Sequence, residues 1–166
     1  MKTIGVISDT HGLLRDEALD ALEGSDLILH AGDVGEGAIL ERLAAVAPVV
    51  AVHGNTDHGA LRHRLPSTAL VDLGSPDGSV PASGPTGPVA YLLHIAEDLD
   101  LDPPTAGVSM VVTGHTHRPE IRRDRTGVIF LNPGAAGHRR FDLPVTVARV
   151  RLEGTSITPE IVEILP

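Results

Sequence analysis

Apolar and polar positions along the chain fall into two regimes. In the first third, short apolar runs rich in β-branched residues alternate with stretches of helical period. Residues 3–8 read as a strand. Leu14, Ala18, Leu19 and Leu22 then recur at helical spacing within Leu13 to Glu23. Residues 26–30 form a second strand. Glu36 to Ala47 reads as a second helix with Ile39, Leu40, Leu43, Ala44 and Ala47 on one face, and Pro48 stops it. Val49 to Val52 is a third strand. This βαβαβ order predicts a parallel sheet with right-handed crossovers.

After Asp57 a short helix runs to Arg64 and ends at Pro66, and Thr68 to Leu73 reads as a strand. Residues 74–88 hold Gly, Ser, Pro, Asp, Thr and Ala with a single Val, the pattern of an exposed, flexible loop. A strand follows to His94. The acidic run Glu97 to Asp102 then reads as an exposed helix face, closed by Pro103-Pro104. Ser109 to Thr113 is a further strand. From there the pattern is β: Pro119 to Arg123, Val128 to Leu131, Val145 to Leu152 and Ile157 to Ile164, joined by Gly-bearing turns. An α/β front and a β-hairpin rear predict one domain over 1–166, with a sheet-on-sheet core and helices outside.

Aromatic residues make up 2% of the 166, so the core must be aliphatic. The chain has no cysteine, which excludes disulfides, thiolate metal sites and a Cys nucleophile. Its formal net charge of −9 argues against a general nucleic-acid binder. A phosphate-bearing substrate stays open, because bound cations reverse the local sign. Met1-Lys2-Thr3-Ile4-Gly5 turns polar too soon for a signal peptide, and no apolar run approaches a membrane span. A cytoplasmic location is the resulting expectation.

Five polar motifs arrive at the ends of the apolar runs: Asp9-Thr10-His11, Gly32-Asp33, Gly54-Asn55-Thr56-Asp57, His94, and Gly114-His115-Thr116-His117. Strands sharing a sheet can deliver these ends to one edge. Asp9 and His11 flank one residue and so face the same way on extended backbone, and His115 and His117 repeat the spacing. Mixed oxygen and imidazole donors suit Mn²⁺, Fe²⁺, Zn²⁺ or Ni²⁺ better than Ca²⁺. Gly32, Gly54 and Gly114 each precede a presumed ligand, where the backbone must turn sharply or approach closely.

In the order and spacing of these motifs the chain resembles the calcineurin-like metallophosphoesterases, and within them the small YfcE-type phosphodiesterases. The resemblance implies a sandwich of two mixed β-sheets flanked by helices. It implies that Asp9, His11 and His117 hold one metal, that Asn55, His94 and His115 hold a second, and that Asp33 bridges them. Asp33, Asn55, Asp57 and His115 carry over as catalytic positions. The implied cofactor is a pair of divalent ions, Mn²⁺ first, with Ni²⁺, Fe²⁺, Zn²⁺ or Mg²⁺ as alternatives. A bridging hydroxide is the implied nucleophile, attacking a small phosphoester. Two divalent ions, two Asp carboxylates and one hydroxide leave a net positive charge for a phosphoryl oxygen. Asn132-Pro133-Gly134 resembles a late family loop that packs near the site. A homo-oligomer follows by analogy. A phosphomonoesterase on the same site, and a non-catalytic scaffold of this fold acting through protein contacts, are the alternative readings.

Two positions depart from the family pattern. Thr56 stands where many members have a His able to protonate the leaving group. Ile95 follows His94 where the family usually has Gly, and a branched residue restricts the backbone there. Outside the motifs, His30 reads as a satisfied core histidine or a supporter of the ligands. His53 could face substrate, and His58 is a candidate replacement acid. His63 and His138 read as solvated. Arg139-Arg140 reads as a solvated basic pair, with contact to a substrate phosphate as the alternative.

Overall fold

The computed structural model describes residues 1–165 as two five-stranded mixed sheets with three short helices. The elements in chain order are β1 (Lys2–Ile7), α1 (Asp16–Leu22), β2 (Leu27–His30), α2 (Gly37–Ala44), β3 (Val49–Ala51) and α3 (Gly59–Arg64). Then follow β4 (Thr68–Asp72), β5 (Val89–Leu93), β6 (Val108–Val112), β7 (Glu120–Arg123), β8 (Ile129–Asn132), β9 (Val145–Glu153) and β10 (Ser156–Leu165). The first sheet runs β10-β9-β1-β2-β3, with β1, β2 and β3 parallel, β9 antiparallel to β1 and β10 antiparallel to β9. The second runs β4-β5-β6-β8-β7, with a parallel centre and antiparallel edges.

The strand period explains how the layers meet. Ile4, Val6, Leu27 and Leu29 point from the first sheet into the space between the sheets, where Ala90, Leu92, Met110, Val112, Ile129 and Leu131 meet them. The alternate residues Ile7, Ile28 and Val147 face outward. There they pack beneath Ala18 and Leu22 of α1 and Ile39, Leu40 and Leu43 of α2. The outer face of the second sheet is closed differently. Val89, Tyr91, Leu93 and Val111 are covered by Leu99 and Leu101. The acidic segment expected as a helix face forms only a 3₁₀ turn at Ala96–Asp98. Its apolar positions, Leu99 and Leu101, alternate with period two, which suits an extended cover. The sandwich therefore carries its α-helical layer on the first sheet.

Helix α1 starts three residues later than the apolar period suggests, because His11 and Gly12 are in left-handed backbone and Leu13 N–H bonds back to Thr10. The 74–88 loop is exposed over most of its length, as its composition predicts, but it has a hydrogen-bonded neck. The buried Asp72 carboxylate accepts the N–H groups of Gly74, Thr86 and Gly87 and the Thr86 hydroxyl. Burial pushes that carboxyl up, and the hydrogen bonds outweigh it, leaving it below the usual carboxylate range. Among the described residues, no helix is long and apolar enough to cross a membrane.

Candidate metal centre

The parallel strands of both sheets deliver the five motifs to one rim. Beyond β1 and β2 the ladder continues through the motif loops: Asp9 N–H to Gly32, His11 N–H to Asp33 and Gly12 N–H to Val34. Within the second sheet, the β5–β6 pairing continues likewise, with Gly114 N–H bonding the His94 carbonyl. The loops are held under backbone strain. Asp9, His11, Asp33, His115 and His117 all have positive φ, between 45° and 72°. That region costs an L-residue roughly 1–3 kcal/mol, and it clusters at sites whose surroundings over-determine it.

All seven expected ligands come together in two groups. In the first, His117 Nε2 lies 3.3 Å from Asp9 Oδ1, and His11 Nε2 lies 3.6 Å from the same oxygen. His11 and His117 present their Nε2 atoms 3.3 Å apart. In the second, His94 Nε2 is 3.1 Å from Asp33 Oδ2, and His115 Nδ1 is 3.1 Å from Asn55 Oδ1. Asp33 Oδ2 also lies 3.7 Å from His11 Nε2, so one carboxylate oxygen faces both groups. Asp9, His11 and His117, and separately Asp33, His94 and His115, put ligand atoms within 4.8 Å of one another.

Each carboxylate is divided in its duties. Asp9 Oδ2 accepts the Ser8 hydroxyl at 2.8 Å and the His115 N–H at 3.0 Å, which leaves Oδ1 turned to the histidines. Asp33 Oδ1 accepts the Thr56 N–H at 2.9 Å, which leaves Oδ2 inward. His94 Nδ1 donates to the Ala31 carbonyl at 2.7 Å, fixing Nε2 as the atom aimed inward. Ile95 sits in ordinary extended backbone (φ −110°), so its branching does not displace His94. The glycines act by close approach. A Cβ on Gly54 would sit 2.0 Å from Asp33 Oδ1, and one on Gly114 would sit 2.1 Å from Ser8 Oγ.

The electrostatics fit a cation. Burial pushes the Asp9 carboxyl up, but His11 and His117 outweigh it and hold it well below the usual range. Burial acts likewise on Asp33, and His94 with the Thr56 N–H brings it down to about 2. Burial pushes the His94 imidazole down, yet Asp33 and Asp9 carry it net upward. Buried Asp9 Oδ1 and His94 Nε2 have no hydrogen-bond partner. Two inward ligand atoms left unsatisfied, one of them a carboxylate oxygen, suit occupation by divalent metal.

The remaining expected residues divide clearly. Asp57 is buried behind the site, and its oxygens take the N–H groups of Val34, Gly35 and Gly54 at 2.9–3.1 Å. It ties the second motif to the third and does not point inward. His53 and Arg62 line a groove of about 320 Å³ that reaches Asn55 and His94. His58 is exposed and bonds the Thr56 carbonyl. His63 and His138 are exposed, as expected. Asn132 does more than its loop suggested. Its side-chain amide bonds the Gly114 carbonyl at 2.9 Å and Thr116 Oγ1 at 3.1 Å, bracing the last motif. Ser8 is a supporter that sequence reading missed. Its only signal is that it stands next to Asp9.

His30 is a satisfied core histidine that supports the first two motifs. Its Nδ1 accepts the Gly32 N–H at 3.1 Å, and Nε2–H donates to Thr10 Oγ1 at 3.0 Å. The Thr10 hydroxyl in turn donates a hydrogen bond to the Val34 carbonyl. This chain requires a neutral imidazole, and burial pushes its pKa down to about 4. The unfolded chain takes up this proton near pH 6.5 and the folded chain near 4. The associated stability is present above 6.5 and is lost as pH falls to about 4, up to about 3 kcal/mol. Long-range ¹H–¹⁵N NMR should find His30 neutral and Nε2-protonated at pH 5.5. A midpoint near 6.5 would contradict the network.

Comparison with known proteins agrees with this architecture. The calcineurin-like phosphoesterase superfamily domain matches residues 1–155. A probable metallophosphoesterase of Methanothermobacter thermautotrophicus is 35% identical, over 96% of this chain and 91% of its own. An archaeal phosphodiesterase shares the fold at TM-score 0.72 and 17% identity, covering 96% of this chain and 99% of its own. Vps29 of Entamoeba histolytica, solved with zinc, shares it at TM-score 0.71 and 20% identity, covering 98% of this chain and 99% of its own. With a family match over nearly its whole length and a relative of this identity, the chain belongs to the calcineurin-like phosphoesterase superfamily.

Proposed function

We propose that this chain is a dinuclear metal-dependent phosphodiesterase. The observation that supports this most strongly is the completeness of the ligand set: seven side chains in two adjacent groups, with Asp33 Oδ2 facing both. Asp9, His11 and His117 would hold one cation; Asn55, His94 and His115 the other; Asp33 would bridge. Bound there, a cation pair lowers the pKa of water and neutralises charge on a phosphoryl group. Mn²⁺ leads the candidates, with Ni²⁺, Fe²⁺, Zn²⁺ and Mg²⁺ behind it.

The protein's own groups do the rest. Ser8, Thr56 and His115 donate hydrogen bonds that aim the two carboxylates. The Ala31 carbonyl orients His94, and Asn132 braces the loop that carries His115 and His117. Asp57 acts as a positioning residue, since its carboxylate accepts the backbone N–H groups of Val34, Gly35 and Gly54 in the two loops it joins. Seven convergent donors suit hydrolysis better than a role through protein contacts alone. The archaeal neighbour is itself described as a phosphodiesterase. A monoester differs by one charge and one substituent, and the same residues would take it.

Thr56 supplies no proton near neutral pH, and its N–H is occupied with Asp33. A positioned general acid is worth roughly 10²–10⁴-fold. The enzyme should therefore hydrolyse aryl phosphodiesters far faster than alkyl ones. Assays of metal-stripped protein, reloaded separately with Mn²⁺, Ni²⁺, Zn²⁺ or Mg²⁺, test this. Equal rates on the two ester types would show that another group supplies the acid. Activity in the stripped protein would defeat the metal-dependent reading.

A further inference from the structure

Among the described residues, six that are not glycine have left-handed backbone. Five are expected metal ligands, and the sixth is Phe141, at φ 53°. For a bulky residue this conformation is a genuine outlier, and outliers gather where function over-determines them. Phe141 is also 89% exposed. The chain has two Phe, one Tyr and no Trp, and Tyr91 is buried while Phe130 is half-buried beneath Arg122. Phe141 is thus the one aromatic ring presented fully to solvent.

Its loop leaves the rim at the metal centre. Thr146 N–H to the Ala135 carbonyl closes the loop's neck. Ala136 and Gly137 N–H bond the carbonyls of Ser8 and Asp9, and Arg15 Nε holds the Gly137 carbonyl at 3.1 Å. Gly137 has no room for a side chain, since its Cβ would lie 2.1 Å from the Thr10 carbonyl oxygen. Phe141 follows four residues later, a reach of at most about 14 Å. Just before it stand His138, Arg139 and Arg140, all exposed, on a chain of net charge −9. A cationic, aromatic loop anchored to the first ligand motif has the chemistry for a phosphate that carries a flat ring.

We propose that the 138–141 segment recognises the substrate's organic group, with Phe141 stacking on a planar heterocycle and Arg140 facing the phosphoryl charge. The substrate class is then nucleotide-like phosphoesters. This rests on the hydrolase reading above and sharpens its substrate.

The test compares adenosine 5′-monophosphate with ribose 5-phosphate, which lacks only the base, as inhibitors of methyl 4-nitrophenyl phosphate turnover by zinc-loaded enzyme. Base–aromatic stacking predicts roughly tenfold tighter inhibition by the adenine compound. Phe141→Ala should erase that advantage, and Phe141→Trp should keep it. Because the chain has no Trp, the introduced indole is a unique fluorophore, quenched by adenosine 5′-monophosphate and not by ribose 5-phosphate. Equal inhibition in the wild type, an advantage that survives Phe141→Ala, or an indole blind to the adenine compound would overturn the proposal. A wild type without turnover on any cation defeats the hydrolase reading instead, and the quenching experiment still reads the stacking.

Discussion

Asp33→Asn should lower kcat/KM by about a thousandfold or more, equivalent to about 4 kcal/mol of lost transition-state stabilisation. The reasoning begins with geometry. Asp33 Oδ2 faces His94 at 3.1 Å and His11 at 3.7 Å, so it joins the two groups more closely than Asp9 Oδ1, which stands 3.9 Å from His94. The amide keeps the shape, and its oxygen can still take the Thr56 N–H. It loses the negative charge that offsets two cations, and its nitrogen is a donor where an acceptor is required. Far-UV circular dichroism should not change, because the exchange leaves the core between the sheets untouched. Wild-type turnover in this variant would mean that the bridge lies elsewhere.

Gly54→Ala should be nearly as damaging, although it removes no functional group. The new methyl would sit 2.0 Å from Asp33 Oδ1 and 2.4 Å from the Asp33 backbone nitrogen. Neither atom can retreat freely. Asp33 Oδ1 is bonded to Thr56, and the Gly54 N–H is bonded to Asp57 at 2.9 Å. The second and third motifs must part, which displaces Asp33 relative to Asn55. A misplacement of about 1 Å at a reacting centre is worth roughly a hundredfold in rate, and overpacking costs about 1–3 kcal/mol in stability. Gly37→Ala is the matched control, because its methyl would meet only an Arg64 nitrogen at 3.4 Å. Kinetics and urea unfolding of the two variants side by side decide the point. Equal behaviour would refute the packing argument.

The strands and the candidate ligands were legible for one physical reason. A buried parallel strand reads as an apolar run, and a polar residue at its end has little to do in a core. Thus Asp9, Asp33, Asn55, His94 and His115 stood out without knowledge of the fold. Interactions that cross between loops were illegible. Asp57 looks like part of a catalytic motif, yet its partners are the N–H groups of Val34, Gly35 and Gly54, which carry no sequence signature. Asp72 staples a loop whose composition suggests only freedom, again through backbone donors. The late start of α1 has the same origin: the His11–Gly12 turn serves the site, and the helix begins only after it. Phe141 hid for the opposite reason, since a single aromatic in a polar loop has no period to betray it.

The central claim is that these side chains hold a pair of cations. Metal-stripped protein, titrated calorimetrically with Mn²⁺ or Zn²⁺ and checked by elemental analysis after dialysis, measures this directly. The account predicts two ions per chain in the wild type and at most one retained in Asp33→Asn. A wild type that takes up no ion, or a variant that still takes two, would contradict it.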